Sequence, residues 1–158
     1  MGPIAADLQE IIDRVLPQLE RLSEAESARK PDPGKWSPKE IIGHLIDSAS
    51  NNHQRFIRAQ FQDDLVFFGY EQNAWVAIQR YQHVPWTHLL TLWHSFNTHL
   101  AHVIDSASEE EKNRLRTRHN LDQLAWQPIP TEHPATLAYF MDDYVGHLKH
   151  HLEQIAPF

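Results

Sequence analysis

The stretch WSPKEIIGHLIDSASNNHQRF, residues 36–56, decides the fold class. Ser37 stands at an N-cap position, Pro38 at the first helical position and Glu40 at the third. This is a capping box. The serine oxygen takes the Glu40 N–H, the glutamate reaches back to the Ser37 N–H, and the proline sits where its missing N–H does no harm. Behind this start, Ile41, Ile42, Leu45, Ala49 and Phe56 recur at helical spacing and predict an amphipathic helix from Pro38 to about Phe61. His44, Ser48, Asn51 and Arg55 follow one another along a polar edge of that helix. A polar row beside a core stripe fits either a solvated flank or the wall of a water-filled pocket inside a bundle. His53 falls toward Ile42 and Ile46, as a structural or surface residue.

Three further segments carry the same periodicity. Upstream, Ile4, Leu8, Ile11, Ile12, Val15, Leu19 and Leu22 predict a helix from Ile4 to Arg29, with a kink or a fresh start at Pro17. The turn chemistry of KPDPGK (Lys30–Lys35) ends it. Downstream, Leu89, Trp93, Phe96, Leu100, Val103 and Ile104 predict a helix from Trp86 to Ser106. Leu137, Met141, Tyr144, Val145, Leu148, Leu152 and Ile155 predict another from Thr136 to Ile155. Ser108 to Glu111 reads as a second capping box opening a short helix. Arg116 to Pro134, with Pro128, Pro130 and Pro134, reads as extended and irregular, and a short helix is expected from Asn73 to Gln82. No strand alternation, fixed-period repeat or low-complexity tract is visible. Four amphipathic helices of about 20 residues predict an all-α four-helix bundle, one domain over residues 1–158. The connection from Gln62 to Pro85 is long enough to cross the bundle.

Composition narrows the function. Lys plus Arg is 14 against 21 Asp plus Glu, a net charge of −7. That balance repels phosphate backbones, so no nucleic-acid partner is expected. No apolar run reaches the 18 or so residues of a membrane span. MGPIAADLQE shows no secretory signal, and cytoplasmic location is the default expectation. There is no cysteine, which excludes disulfides, thiolate metal sites and a cysteine nucleophile. The 12 histidines are the outstanding feature. Histidine is the commonest metal ligand.

Sorting the histidines by helix face selects a few. His147 and His151 are at i and i+4, which stacks two imidazoles on one face about 6 Å apart. At 100° per residue they lie roughly 100° and 60° from the centre of the apolar stripe, on the same side, whereas His150 lies roughly 160° away, toward solvent. A catalytic zinc-type site wants three protein ligands and an open position, so a third must come from another helix. His44 is a candidate on the polar edge described above, and His99 is held in reserve. His83, His119 and His133 fall in connections and are expected to be exposed. Gly43 and Gly146 each precede a histidine inside a helix, at a cost of about 1 kcal/mol against alanine. A mid-helix glycine marks close backbone approach.

WSPKEIIGHLIDS, the polar row ending in Arg55, and the H-x-x-x-H of YVGHLKHHLEQI together resemble the DinB/YfiT-like family, in order from about Trp36 to Ile155. The resemblance implies a four-helix bundle of up-down-down-up connectivity, with its second and third helices parallel. It implies a divalent metal held by His44, His147 and His151. It also implies a homodimer and either thiol S-transferase activity with a low-molecular-weight thiol, thiol-dependent isomerisation, or hydrolysis. Imidazole-only ligation suits zinc, the favoured ion, with nickel, iron or copper as alternatives. The expected partner is a small molecule, with Arg55 a candidate for gripping its carboxylate, or else a surface ion pair, and Ser48 beside it. Asp47, Asp143 or Glu153 could orient a ligand histidine. The alternative to an enzyme is a dimeric, stress-related helical module that binds a metal or ligand without turnover. A bare bundle paired through Phe67, Phe68 and Tyr70 is a third reading.

Overall fold

The computed structural model describes residues 1–157. In order these form α1 (Pro3–Glu20), α2 (Glu24–Ser27), α3 (Pro38–Arg58), α4 (Gln72–Gln79), a 3-10 turn at Tyr81–His83, α5 (Trp86–Ser106), α6 (Glu109–Asn113), α7 (Leu121–Leu124) and α8 (Leu137–Leu152). Among the described residues there is no strand beyond two isolated bridges, Leu65 with His119 and Arg116 with Ala135. No described helix is long and apolar enough to cross a membrane.

Contacts between the helix ends give the direction of each long helix. The Trp86 indole N–H at the start of α5 donates to the Leu19 carbonyl at the end of α1, and the Gly2 N–H donates to Asp105 at the opposite end. The two helices are therefore antiparallel. The Lys39 ammonium donates to the Val84 carbonyl just before α5, and His53 meets Phe96 and His99 further along. That makes α3 and α5 parallel. Phe56 packs on Phe140 at one end while His44 meets His147 at the other, so α8 runs against α3. The connectivity is up-down-down-up. Each of α1 and α3 packs on both α5 and α8. Leu8, Ile12 and Leu19 of α1, Ile42, Leu45 and Phe56 of α3, Trp93 and Leu100 of α5, and Leu137, Leu148 and Leu152 of α8 share one buried core. Each such side chain contributes about 1.5–3 kcal/mol through burial.

The Ser37 capping box forms in full, and α5 spans the predicted residues. The other boundaries differ for local reasons. The first helix stops at Glu20, because Ser23 and Glu26 make a capping box of their own and start α2. Pro17 neither restarts α1 nor ends it, since it forfeits one backbone bond and the helix finishes three residues later. The second helix ends at Arg58, the short one covers Gln72–Gln79, and the last ends at Leu152. At α6 the Ser108 oxygen accepts the Glu111 N–H, but the Glu111 carboxylate turns to Arg114 and Arg116 and leaves the box half made.

The two long connections are tied to each other. The Asn120 side chain bonds both the N–H and the carbonyl of Phe67, and the Leu65 backbone bonds Arg118 and Asn120. His119, expected to be exposed, is buried here. Its Nδ1 accepts the Leu121 N–H, so its Nε2–H donates to the His133 carbonyl at 2.6 Å, and both ring nitrogens are used in holding the segment.

Candidate metal centre

Three imidazoles meet where the N-terminal half of α3 faces the C-terminal end of α8. One nitrogen from each of His44, His147 and His151 lies within 4.8 Å of the others. The Nε2 atoms of His44 and His147 are 3.2 Å apart. Two nitrogens bound to one tetrahedral ion at about 2.05 Å stand roughly 3.3 Å apart, so this spacing fits a shared cation. The ring centroids of His44 lie 5.2 Å from His147 and 4.7 Å from His151, and each pair is edge-on. His99, the reserve candidate, is elsewhere: exposed on α5, beside His53 and His102.

Both glycines next to these histidines are close-approach sites. A Cβ on Gly43 would stand 2.1–2.5 Å from the Tyr81 ring, and one on Gly146 would stand 3.1 Å from the Trp126 ring. An aromatic from each long connection therefore lies on the helix one residue before a histidine of the cluster. The phenol of Tyr81 donates to Asp47 at 2.7 Å, which fixes its ring against α3.

Burial sets the charge state of the cluster. Removal from water holds His44 and His147 down to about 3, and the neighbouring imidazoles push the same way. His151 is lowered too, again chiefly by burial. All three rings are neutral near pH 7, with lone pairs free for a cation. The donor set, three neutral nitrogens and no carboxylate, matches zinc-like transition metals and not magnesium or calcium. The outer nitrogens are only weakly tied. His151 Nδ1 lies 3.4 Å from the Gln154 amide oxygen, and His44 Nδ1 is buried with no partner. None of the three suggested carboxylates fills this role. Asp47 accepts from Tyr81 and Gln79, Asp143 accepts the Trp126 and Gln127 N–H groups, and Glu153 is exposed.

A cavity of about 270 Å³ opens beside His44 and His147. Ser48 and Arg55 line it, and so does Asn52. Asn51, the other member of the polar row, does not, because the crossover lies over the polar edge of α3 at Arg55. Asn51 falls on the far side of it, in a groove with Val66 and Phe68. Tyr70 and Trp126, from the two long connections, complete the wall. His151 faces the other way, into a cleft lined by Trp36, Ile41 and Ile155 and rimmed by the charged Glu26, Arg29 and Lys35. Trp36 was part of the opening motif without a role. Its ring lies 5.0 Å from His44 and 6.3 Å from His151 and covers the cluster. An aromatic immediately before the Ser37 cap was the available signal, but nothing in the spacing says which side chain it covers.

Phe67, Phe68 and Tyr70 do not make one exposed patch. Phe67 stacks on Phe140 and Tyr70 lies over Arg55, while Phe68 is 96% exposed.

Fold and site together define a class: a four-helix bundle with a three-histidine cluster that can hold a metal ion, at the edge of a small polar cavity. The family model of the DinB superfamily matches residues 7–155, and the chain belongs to that superfamily. The solved structure of YfiT from Bacillus subtilis, described as a probable metal-dependent hydrolase with an unusual four-helix bundle topology, is similar in fold. The match has a TM-score of 0.75 at 19% identity and covers 96% of this chain and 81% of that one. A direct search among curated proteins returns no match.

Proposed function

We propose that this chain is a metal-dependent enzyme that holds a divalent ion, zinc favoured, on His44, His147 and His151 and acts on a small molecule in the adjoining cavity, by hydrolysis or by thiol transfer. The observation that carries this reading is the convergence of three neutral imidazoles, with no carboxylate among them, beside a polar cavity of about 270 Å³. YfiT's description as a probable metal-dependent hydrolase supports the same direction. An ion held by three neutral ligands keeps its full charge, so it polarises a carbonyl and lowers the pKa of a water or thiol.

The protein's own groups prepare the site. Two helices packed on a shared core hold the rings, and Tyr81 and Trp126 fix the helix backbone beside them. Trp36 shields one side from water. Burial raises the Tyr70 phenol above its ordinary value, so it stays protonated and can donate a hydrogen bond to an oxygen in the cavity. The chain has no cysteine, so in the transfer reaction the thiol comes from a second small molecule.

Elemental analysis of tag-free protein tests the metal. His44→Ala and His151→Ala are expected each to lose it while far-UV circular dichroism keeps its helical signal. Unchanged metal content in both variants sinks the assignment. A screen of thiol conjugation and ester hydrolysis, with and without chelator, then separates the two chemistries.

A further inference from the structure

We infer that Arg55 anchors a carboxylate group of the substrate, so that the cavity takes a small organic monoanion whose reacting group lies several bonds from that carboxylate. Which end reacts rests on the metal reading above; the anion site stands on Arg55 alone.

Arg55 is 6% exposed and lines the cavity. Among the described residues no Asp or Glu oxygen lies within ion-pair distance of it; every acidic partner found belongs to another cation. Its contacts are all neutral. Nη2 donates to the Phe68 carbonyl at 2.8 Å, Nη1 points at the Asn52 amide oxygen at 3.4 Å, and the Tyr70 ring lies 5.9 Å away. A guanidinium has five N–H donors, and these contacts use two. A buried charge without a counter-charge is costly unless something supplies one. The carboxylate that lines the same cavity, Asp143, is not within ion-pair distance of Arg55 and is turned to the Trp126 and Gln127 N–H groups instead.

The lining also selects the ligand. No lysine and no second arginine faces the cavity, so one fixed positive charge is available. That matches a carboxylate, whose two oxygens fit the guanidinium fork, better than a phosphate dianion. Asn52 holds the fork in place, with its Nδ2 tied to the Ser48 carbonyl at 2.9 Å and its oxygen turned to Nη1. Arg55 follows His44 by eleven residues on α3, an axial rise of roughly 16 Å. His44, Ser48 and Arg55 line the cavity in that order along α3, so the grip and the imidazoles hold different points of one wall. Holding the crossover at Phe68 needs one N–H and no charge, a task glutamine could perform.

The test is n-butyrate binding to the full-length protein, with chelator present so that no metal takes the carboxylate. Calorimetry and the NMR signals of the Arg55 side-chain N–H groups are the readouts. Butyrate is expected to bind saturably, to shift those signals, and to bind roughly 10- to 100-fold more weakly to Arg55→Gln. Neutral butyramide and inorganic phosphate are expected to bind more weakly than butyrate. Equal butyrate binding by Arg55→Gln overturns the proposal, as does butyramide or phosphate binding as tightly as butyrate. If Arg55→Gln does not fold, the wild-type signals decide: an Arg55 resonance that stays fixed as butyrate saturates overturns it. Metal content is measured separately. Loss of the metal assignment with butyrate binding intact leaves the anion site standing, and the reverse outcome removes only Arg55.

Discussion

Two arginines are buried in this bundle, and their surroundings are opposite. Arg116, at the end of α3, is 2% exposed and meets the Glu111 carboxylate at 2.8 Å together with the carbonyls of Ala59, Glu111 and Arg114. It closes carbonyls that a helix end leaves open and ties α3 to the segment after α6. Arg55, three residues before the end of α3, is almost as buried and has neutral partners only. The same contrast separates the two regions as wholes. At the base, the charges of Arg114 and Arg116 are answered by Glu111 and hold the fold. Around the cavity, the imidazoles and Arg55 keep hydrogen-bonding capacity that no protein group meets.

The largest expected effect is at the site and concerns the metal alone. His147→Ala is expected to take metal content from about one ion per chain to near zero, while chelated wild-type and variant proteins melt at similar temperatures. A large drop in melting temperature under chelator would make the cluster a structural element and blur the contrast. Next, Arg116→Met is expected to destabilise by about 3 kcal/mol, since it leaves the carbonyls of Ala59 and Glu111 without their donor and takes one of two arginines from the Glu111 carboxylate. Arg55→Met is expected to cost about 1 kcal/mol or less, because removing an uncompensated buried charge offsets the lost hydrogen bonds. Urea unfolding of the pair decides, and equal losses break the comparison.

Gly43→Ala is expected to cost about 2 kcal/mol by driving a methyl into the Tyr81 ring, with a smaller loss for Gly146→Ala, where the Trp126 ring stands further off. Thermal melts of both variants measure it, and an unchanged Gly43→Ala melting temperature rejects the close-approach account. The gentlest effect is a slope with pH. His44 is held near 3 in the folded protein against 6.5 when unperturbed. In metal-free protein its contribution is complete above pH about 6.5. It declines as pH falls toward 3, because the unfolded chain takes up a proton that the folded chain refuses. The slope from this group is at most about 1.4 kcal/mol per pH unit. Urea titrations at several pH values should show it, and His44→Ala should flatten it; equal slopes in both proteins discard the buried neutral imidazole.

Much of the frame was legible because it is written in local chemistry. The Ser37 box, the start at Trp86 and the apolar stripes each act within a few residues, so the helices and their order follow from spacing. The pairing of His147 with His151 is likewise local, whereas the arrival of His44 beside them is a matter of helix pairing that spacing leaves open. What spacing could not supply lies between elements. The burial of His119 depends on a carbonyl fourteen residues away. The exchange of Asn51 for Asn52 depends on where the crossover lies. Asp47 and Asp143 are committed to Tyr81 and to backbone N–H groups of distant loops, so neither reaches an imidazole.

The division of labour between helices and connections has an evolutionary consequence. The imidazoles ride on the packed scaffold, whereas Tyr70, Gln72 and Trp126, which give the cavity much of its shape, come from segments between the long helices. Descendants of such a chain can exchange those segments and acquire a taste for new molecules, while the three-histidine cluster is inherited untouched.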